Sequence, residues 1–493
     1  MNLLLTMPWL LWLDRLLLFY YGVLCLVYLL LFIAALLSSL RHQLWVRTLP
    51  LRRVAASPLA PSVAVLVPAH NEALGIVSSV QSLLALDYPR FEVIVINDGS
   101  TDDTLARLKQ AFGLVRLDFF YQPQIPTAPV RDVYVSPEHH RLLVCDKQQG
   151  GKSDALNTGL NLCHSAYFCT VDADAVLNRD GLLRVMLPVF NDRSVVASGG
   201  VVRPANGCRF RAGQVEEVRL PSHPLEILQS IEYLRAFLWG RVGWSALKGL
   251  MIISGAFGVF RREVAIEVGG FRTDTVGEDM DLLVRLHRRL RDRREPYSVT
   301  FVPDPICWTE IPSNLTGLAR QRRRWQRGLG EALWYSRGML LRPRYGRLGW
   351  LAFPYQLIYE FYGPLVETVG LVAVIVSAFL GVLDRQYFLD LFLLAYLYGT
   401  FLSVAAVLLE ELGYHRYRRT RELAILFGFA LLEHFPYRQL VNLARLLGIL
   451  DFVRGEHGWG KARRRGFEEA KPNETPPEAT VLAPRAKRPE KIL

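Results

Sequence analysis

Asp172 and Asp174 stand one residue apart, so that in extended chain their carboxylates project to the same side. Hard oxygen ligands in that arrangement suit Mg2+ or Mn2+, which keep water and phosphate oxygens as their remaining ligands. Alone, an Asp-x-Asp pair is more often a surface turn than a metal site; a place directly after an apolar strand favours the metal. Asp98 precedes Gly99 and Ser100, where a short carboxylate can accept hydrogen bonds from a ribose or a base edge while the glycine allows close approach. The bland alternative is a loop and helix cap. Glu72, closing Pro68-Ala-His-Asn-Glu72, reads in the same two ways. Lys152 follows Gly150 and Gly151 at an expected helix start, where an ammonium and a helix N-terminus together suit anionic phosphate, although a simple loop lysine fits equally well. The stretch is not a P-loop, because that motif needs a glycine where position 146 is Asp.

Two later motifs complete the set. Glu278 and Asp279 follow Gly277 at the start of an amphipathic segment. They are either first-turn acids favoured by the helix dipole or a base able to take the proton of an incoming hydroxyl. Gln321-Arg-Arg-Arg-Trp325 can be a basic flank facing anionic lipid, and Arg322 and Arg327 are read that way. Gln321, Arg324 and Trp325 point further: an amide can bond hydroxyls, a guanidinium can grip a diphosphate with two parallel bonds, and an indole can stack on the apolar face of a sugar.

Elements must gather these motifs. Apolar strands at 63–67, 91–96, 142–145 and 167–171 alternate with helical patterns at 73–86, 102–112, 152–163 and 179–190. That alternation predicts an α/β domain over 62–335 built on a largely parallel sheet. Ligands of such sheets sit beyond the carboxyl ends of the strands, where Glu72, Asp98, Asp172 and Asp174 fall.

The chain has 493 residues and is 51% hydrophobic, which directs attention to membrane segments. After a 1–15 N-terminal segment, residues 16–40 carry no formal charge and are long enough to cross about 30 Å of hydrocarbon. A linker at 41–61 leads to the α/β domain. Further spans are expected at 361–383 and 387–409, charged only at Glu367 and Asp390. Residues 336–360, dense in Arg and broken by Pro343 and Gly346, are expected at the lipid surface. In 422–450 the charges of Glu433, Arg438 and Arg445 and the bend expected at Pro436 predict an interfacial or channel-lining helix rather than a span. Residues 451–493 read as a basic cytosolic segment with a disordered tail. The net charge of +12 is not spread as on a nucleic-acid surface but crowds beside apolar runs, at Arg41, Arg47, Arg52 and Arg53 and at Arg416, Arg418, Arg419 and Arg421. By the positive-inside rule the N-terminus lies outside and the α/β domain in the cytosol, in a multi-pass protein of the cell (inner) membrane. The six cysteines lack paired spacing, so neither zinc nor a disulfide framework is expected.

Taken in order, Asp98, Asp172-x-Asp174, Glu278-Asp279 and Gln321-x-x-Arg324-Trp325 resemble the signature of processive, inverting family-2 glycosyltransferases, the group of cellulose, chitin, hyaluronan and poly-N-acetylglucosamine synthases. Gly150 to Asn157 and Ser254-Gly-Ala-Phe257 belong to the same likeness, which covers about residues 62–450. It implies a cytosolic GT-A (Rossmann-like) domain packed on transmembrane helices. It also implies that Glu72, Asp98, Lys152 and Asp172 hold a UDP-sugar and that Asp172 with Asp174 holds Mg2+ or Mn2+. Asp279, beside Glu278, would be the general base. Ser254, Gly255, Gln321, Arg324 and Trp325 would bind the acceptor end and the diphosphate. The expected partners are a UDP-sugar donor carrying GlcNAc or Glc, a polysaccharide acceptor, membrane lipid and accessory or export subunits, and no nucleic acid. Two departures from the pattern are the Gly-Glu-Asp form of the acidic motif and the lack of a cyclic-dinucleotide-binding segment of the cellulose-synthase kind. Transfer of one sugar to a lipid carrier, and a non-catalytic glycan channel or scaffold, are the alternatives.

Overall fold

The computed structural model describes residues 8–118, 121–211, 213–414, 417 and 419–456. Arg416, Arg418 and everything after 456, which includes the expected disordered tail, lie outside the described residues.

In chain order the strands are β1 (Val63–Ala69), β2 (Phe91–Asp98), β3 (Val115–Leu117), β4 (Val130–Val135), β5 (Leu142–Lys147), β6 (Tyr167–Val171), β7 (Ala175–Leu177), β8 (Val195–Pro204), β9 (Arg209–Arg211), β10 (Gln214–Glu217), β11 (Phe257–Arg261) and β12 (Ser298–Thr309). Ten of them form one sheet in the order β3-β4-β5-β2-β1-β6-β11-β8-β12-β7, and β9 and β10 make a separate ribbon. Val63 to Val67 of β1 are fully buried, as a continuous apolar run in a strand covered on both sides should be. The four strands expected from sequence, β5, β2, β1 and β6, pair parallel with one another, and β8 and β12 form a second parallel pair.

The rest of the sheet corrects the expectation of a largely parallel arrangement. β4 pairs antiparallel with β5, and β11 runs antiparallel between β6 and β8. β4 and β5 are joined by a short hairpin, and a short connection can link only antiparallel strands. The helix Lys152–Leu162 lies on the parallel part so closely that a Cβ at Gly159 would meet side-chain carbons of Leu66 at 3.0 Å and Ile96 at 3.1 Å. This contact fixes the start of the helix at the carboxyl ends of β1 and β2.

Among the described residues two helices are long and apolar enough to cross a membrane, Trp12–Thr48 and Arg385–Tyr414. A third span exists if Leu348–Phe361 and Gly363–Phe379, bent by 45° at their junction, are counted together. Pro364 at that junction lacks an N–H for the preceding turn, which accounts for the bend. The 422–450 stretch is two helices, Thr420–Leu432 and Arg438–Arg454, parted at Phe435, whose backbone is extended (φ −155°, ψ 128°) as a residue before proline prefers.

Buried ion pairs tie the apolar helices to the sheet. Arg203 of β8 meets Glu410, and both are almost completely buried. His42, near the end of the N-terminal helix, bonds Asp304 of β12 at 2.5 Å, and Arg184 donates to the other oxygen of Asp304 at 2.9 Å. Removing one member of a buried pair leaves an uncompensated charge. Arg203→Ala is therefore expected to cost about 3–5 kcal/mol, read as a lower Tm of the detergent-solubilised chain. The double variant Arg203→Met, Glu410→Leu should recover most of it.

Candidate active site

The site is assembled from loops at the carboxyl ends of β1, β2, β5 and β6. Asn71, in the left-handed region (φ 57°), accepts hydrogen bonds from the N–H groups of Thr101 and Asp102 at 2.8 and 3.3 Å, which stitches the loop after β1 to the loop after β2. Asn is among the few residues that adopt this backbone cheaply. Glu72 sits in that stitched loop, partly buried, with its own N–H donating to Thr104 Oγ1 at 2.9 Å.

Asp98 is buried and both of its oxygens are taken. Oδ1 accepts from Lys147 Nζ at 2.8 Å and Gly150 N at 2.9 Å, and Oδ2 from Gly151 N at 2.8 Å. Lys147 is itself fully buried and bonds Asp154 at 2.7 Å. Asp98 thus shapes the Gly150-Gly151-Lys152 turn from beneath. Gly99 (φ +62°) is held by contact: a Cβ there would meet Gln149 N at 2.8 Å. Sequence reasoning missed Lys147; the available signal was a Lys closing the same strand as Asp146.

The Asp172-Ala-Asp174 segment is a turn rather than extended chain, because Ala175 N donates to Asp172 O at 2.9 Å. Ala173 is buried in the turn while Asp172 and Asp174 stay partly exposed, so the carboxylates face outward by a different route from strand alternation. Lys152 Nζ lies 2.6 Å from Asp172 and 3.5 Å from Glu278. Burial alone would lower the Lys152 pKa, but Asp172 first, then Glu278 and Asp279, hold it above the ordinary value.

Glu278 and Asp279 open the helix Glu278–Arg293. Burial, reinforced by Asp279, pushes the Glu278 carboxyl above its usual range against the pull of Lys152 and Arg324. Asp279 Oδ2 accepts from Gly255 N at 2.9 Å, which links this helix to the Ser254-to-Phe257 loop. A Cβ at Gly277 would lie 2.7 Å from Gly328 O, so the start of this helix touches the helix Leu315–Tyr335 backbone to backbone. Only glycines permit that approach, and it sets Glu278 and Asp279 beside Gln321, Arg324 and Trp325.

Arg322 and Arg327 do not face lipid, contrary to the sequence reading. Both are buried, Arg322 against Glu232 at 2.7 Å and Arg327 against Glu331 at 3.1 Å. In a helix packed on both sides, a basic run must find acids inside the protein. The Arg322 guanidinium lies 4.3 Å from the centre of the Trp325 ring, and Trp325 keeps an exposed face.

One cavity of about 490 Å3 gathers most of these groups. Lys152, Asp172, Glu278 and Asp279 line it together with Ser254, Gly255, Gln321, Arg324 and Trp325. Glu72, Asp98 and Asp174 are not in its lining. The cavity continues past the π-helical turn Leu234–Arg241 to Arg438, Asn442 and Arg445 of the last helix. The wall formed by Tyr233, Arg235 and Arg241 was not foreseen; two arginines in the otherwise apolar run 233–244 were the signal.

A family model for glycosyltransferase-like family 2 matches residues 60–328, more than half of the chain. The sheet and this match together make the domain a GT-A-type α/β fold, and the chain belongs to glycosyltransferase family 2. It is 29% identical over 299 residues to a poly-β-1,6-N-acetyl-D-glucosamine synthase of Staphylococcus aureus, 60% of each chain. It is 26% identical over 272 residues to the synthase of the same description from Staphylococcus epidermidis, 55% of each. The chain thus spans about 60% of the length of the curated relatives it matches. Among solved structures, a mannosyltransferase from Pyrobaculum calidifontis in complex with GDP-Man and Mn2+ aligns over 90% of this chain and 100% of that one, at 20% identity and a TM-score of 0.48.

His287 anchors the far half of the acidic helix, bonding Leu250 O and the Tyr297 hydroxyl at 2.8 Å each. Burial pushes its pKa down to about 4 from 6.5, with the Leu250 carbonyl opposing. The unfolded chain therefore binds the extra proton first. The stability His287 contributes is complete above pH 6.5 and is lost as pH falls towards 4, by about 3 kcal/mol in all. Thermal melts across that window should show this decline, and His287→Phe should flatten it.

Proposed function

We propose that this chain is a membrane-embedded, inverting and processive glycosyltransferase that adds GlcNAc or Glc from a UDP-sugar to a growing β-linked polysaccharide. The observation that carries the reading is the convergence of Lys152, Asp172, Glu278, Asp279 and Trp325 on one cavity that runs on towards the C-terminal helices. The staphylococcal relatives favour N-acetylglucosamine as the donor sugar. The two or three candidate spans, together with the basic flanks, support a catalytic domain on the cytosolic side of the cell membrane.

In this reading Asp279 takes the proton of the acceptor hydroxyl, whose oxygen attacks the anomeric carbon. The bond from that carbon to the diphosphate oxygen breaks, the electron pair leaves with UDP, and configuration inverts. Lys152 and Arg324 face the diphosphate; Trp325 and Gln321 hold the acceptor end, with Ser254 and Gly255 lining its seat. Asp98 and Glu72 act by shaping the nucleotide loops. Asp172 and Asp174 would hold Mg2+ or Mn2+. Among the described residues no cluster of three or more His, Cys, Asp or Glu could hold a metal. Both carboxylates are partly exposed hard oxygen donors, and Asp172 uses only Oδ1 on Lys152, so the pair fits such an ion, which would neutralise charge on the departing diphosphate.

Membranes carrying the protein, given labelled UDP-GlcNAc or UDP-Glc, are expected to yield a polymer on sizing. A single-sugar lipid product would replace the processive reading with transfer to a carrier, and no transfer from any donor would leave a scaffold. Asp279→Asn should lower transfer by about 10²- to 10⁴-fold while UDP binding persists; unchanged turnover would remove Asp279 from the role of base. Asp174→Ala should abolish activity and with it the metal requirement, and loss of activity with metal dependence intact would refute the ligand assignment.

A further inference from the structure

The cations along the cavity are nearly all spoken for. Lys152, Arg235, Arg322, Arg438 and Arg445 each hold a carboxylate within ion-pair distance. Arg241 holds none among the described residues, and its buried Nη1 has no hydrogen-bond partner. It closes the π-helical turn Leu234–Arg241 on the cavity wall. The wide winding of that turn sets Arg241 above Phe237, four residues back, with the guanidinium carbon 3.8 Å from the ring centre. Stacking of this kind fixes the plane of the guanidinium and leaves its N–H edge free to point elsewhere.

Arg241 is half-buried, and a guanidinium whose Nη1 is shut off from water without a hydrogen-bond partner is costly unless something supplies one. Burial lowers its pKa to about 10, partly offset by Asp279, so it stays charged at neutral pH. Neutralising it by proton loss is therefore not the resolution. The carboxylates nearest the reacting centre are engaged already: Asp172 and Glu278 by Lys152, and Asp279 by the N–H of Gly255. None of them pairs directly with Arg241, which leaves its open donor edge available to an anionic ligand.

We propose that Arg241 is a substrate-binding residue that receives an oxygen of the nucleotide's terminal phosphate. It would share with Lys152 and Arg324 the charge of a diphosphate that the acidic neighbours would otherwise repel. This assignment rests on the donor reading given above. A guanidinium suits the task because its parallel donors match phosphate oxygens.

The test compares UDP with UMP, which differ in that phosphate, by calorimetry on the full-length detergent-solubilised chain in the presence of Mg2+. Arg241→Met is expected to weaken UDP by about 10- to 100-fold and UMP by less than about threefold. Arg241→Lys, which keeps the charge, should retain most of the preference for UDP. An unchanged UDP-to-UMP ratio in Arg241→Met, or equal loss of both nucleotides in both variants, would overturn the assignment and leave Arg241 a structural residue. Wild-type protein that binds neither nucleotide would instead overturn the donor reading itself, and this proposal with it.

Discussion

The ammonium of Lys152 is a single positive charge set among three carboxylates, Asp172, Glu278 and Asp279, brought together from a strand-to-strand turn and the start of a distant helix. Without it those acids would repel one another in a confined space. Its position in turn depends on the Asp98–Lys147–Asp154 triad, which fixes the glycine turn just ahead of it. Two layers of charge are therefore stacked at the cavity: a buried one that shapes the loop and a second one, of Lys152, Asp172, Glu278 and Asp279, that lines the cavity itself.

Much of this was legible in the chain. The parallel strands and the helix after Gly151 follow from period and from turn residues, since these are local properties. Lys152, Asp172, Glu278, Asp279 and Trp325 were identified by residue type, and they do share one cavity. What sequence could not supply was partnership. Nothing in the order of residues says that Asp98 spends both oxygens on Lys147 and the glycine turn, or that Arg322 and Arg327 turn inward to Glu232 and Glu331. The antiparallel strand β11 was missed for a related reason: Phe257–Arg261 is an apolar run too short for periodicity alone to separate from the loop before it. Asp172-Ala-Asp174 shows the same limit at the smallest scale, where a turn and a strand would both leave the two acids exposed.

Charges in an apolar segment are expensive against lipid and cheap against protein. Glu367 meets Arg438 and Asn442, while Arg445 donates to Gln326 at 2.7 Å. A Cβ at Gly448 would collide with the backbone of Arg323. The polar residues of Arg438–Arg454 are thus turned to neighbouring helices, one of which carries Gln321, Arg324 and Trp325. The break at Phe435 allows Arg438–Arg454 to leave the direction of its predecessor and lie along that helix.

The N-terminal helix runs unbroken for 41 residues, Pro8–Thr48. At 1.5 Å per residue it is about 60 Å long, roughly twice the thickness of the hydrocarbon layer. Its far end is pinned to the sheet through His42 and Asp304. A rod of that kind acts as a ruler: it holds its apolar stretch and the edge of the sheet at one fixed separation.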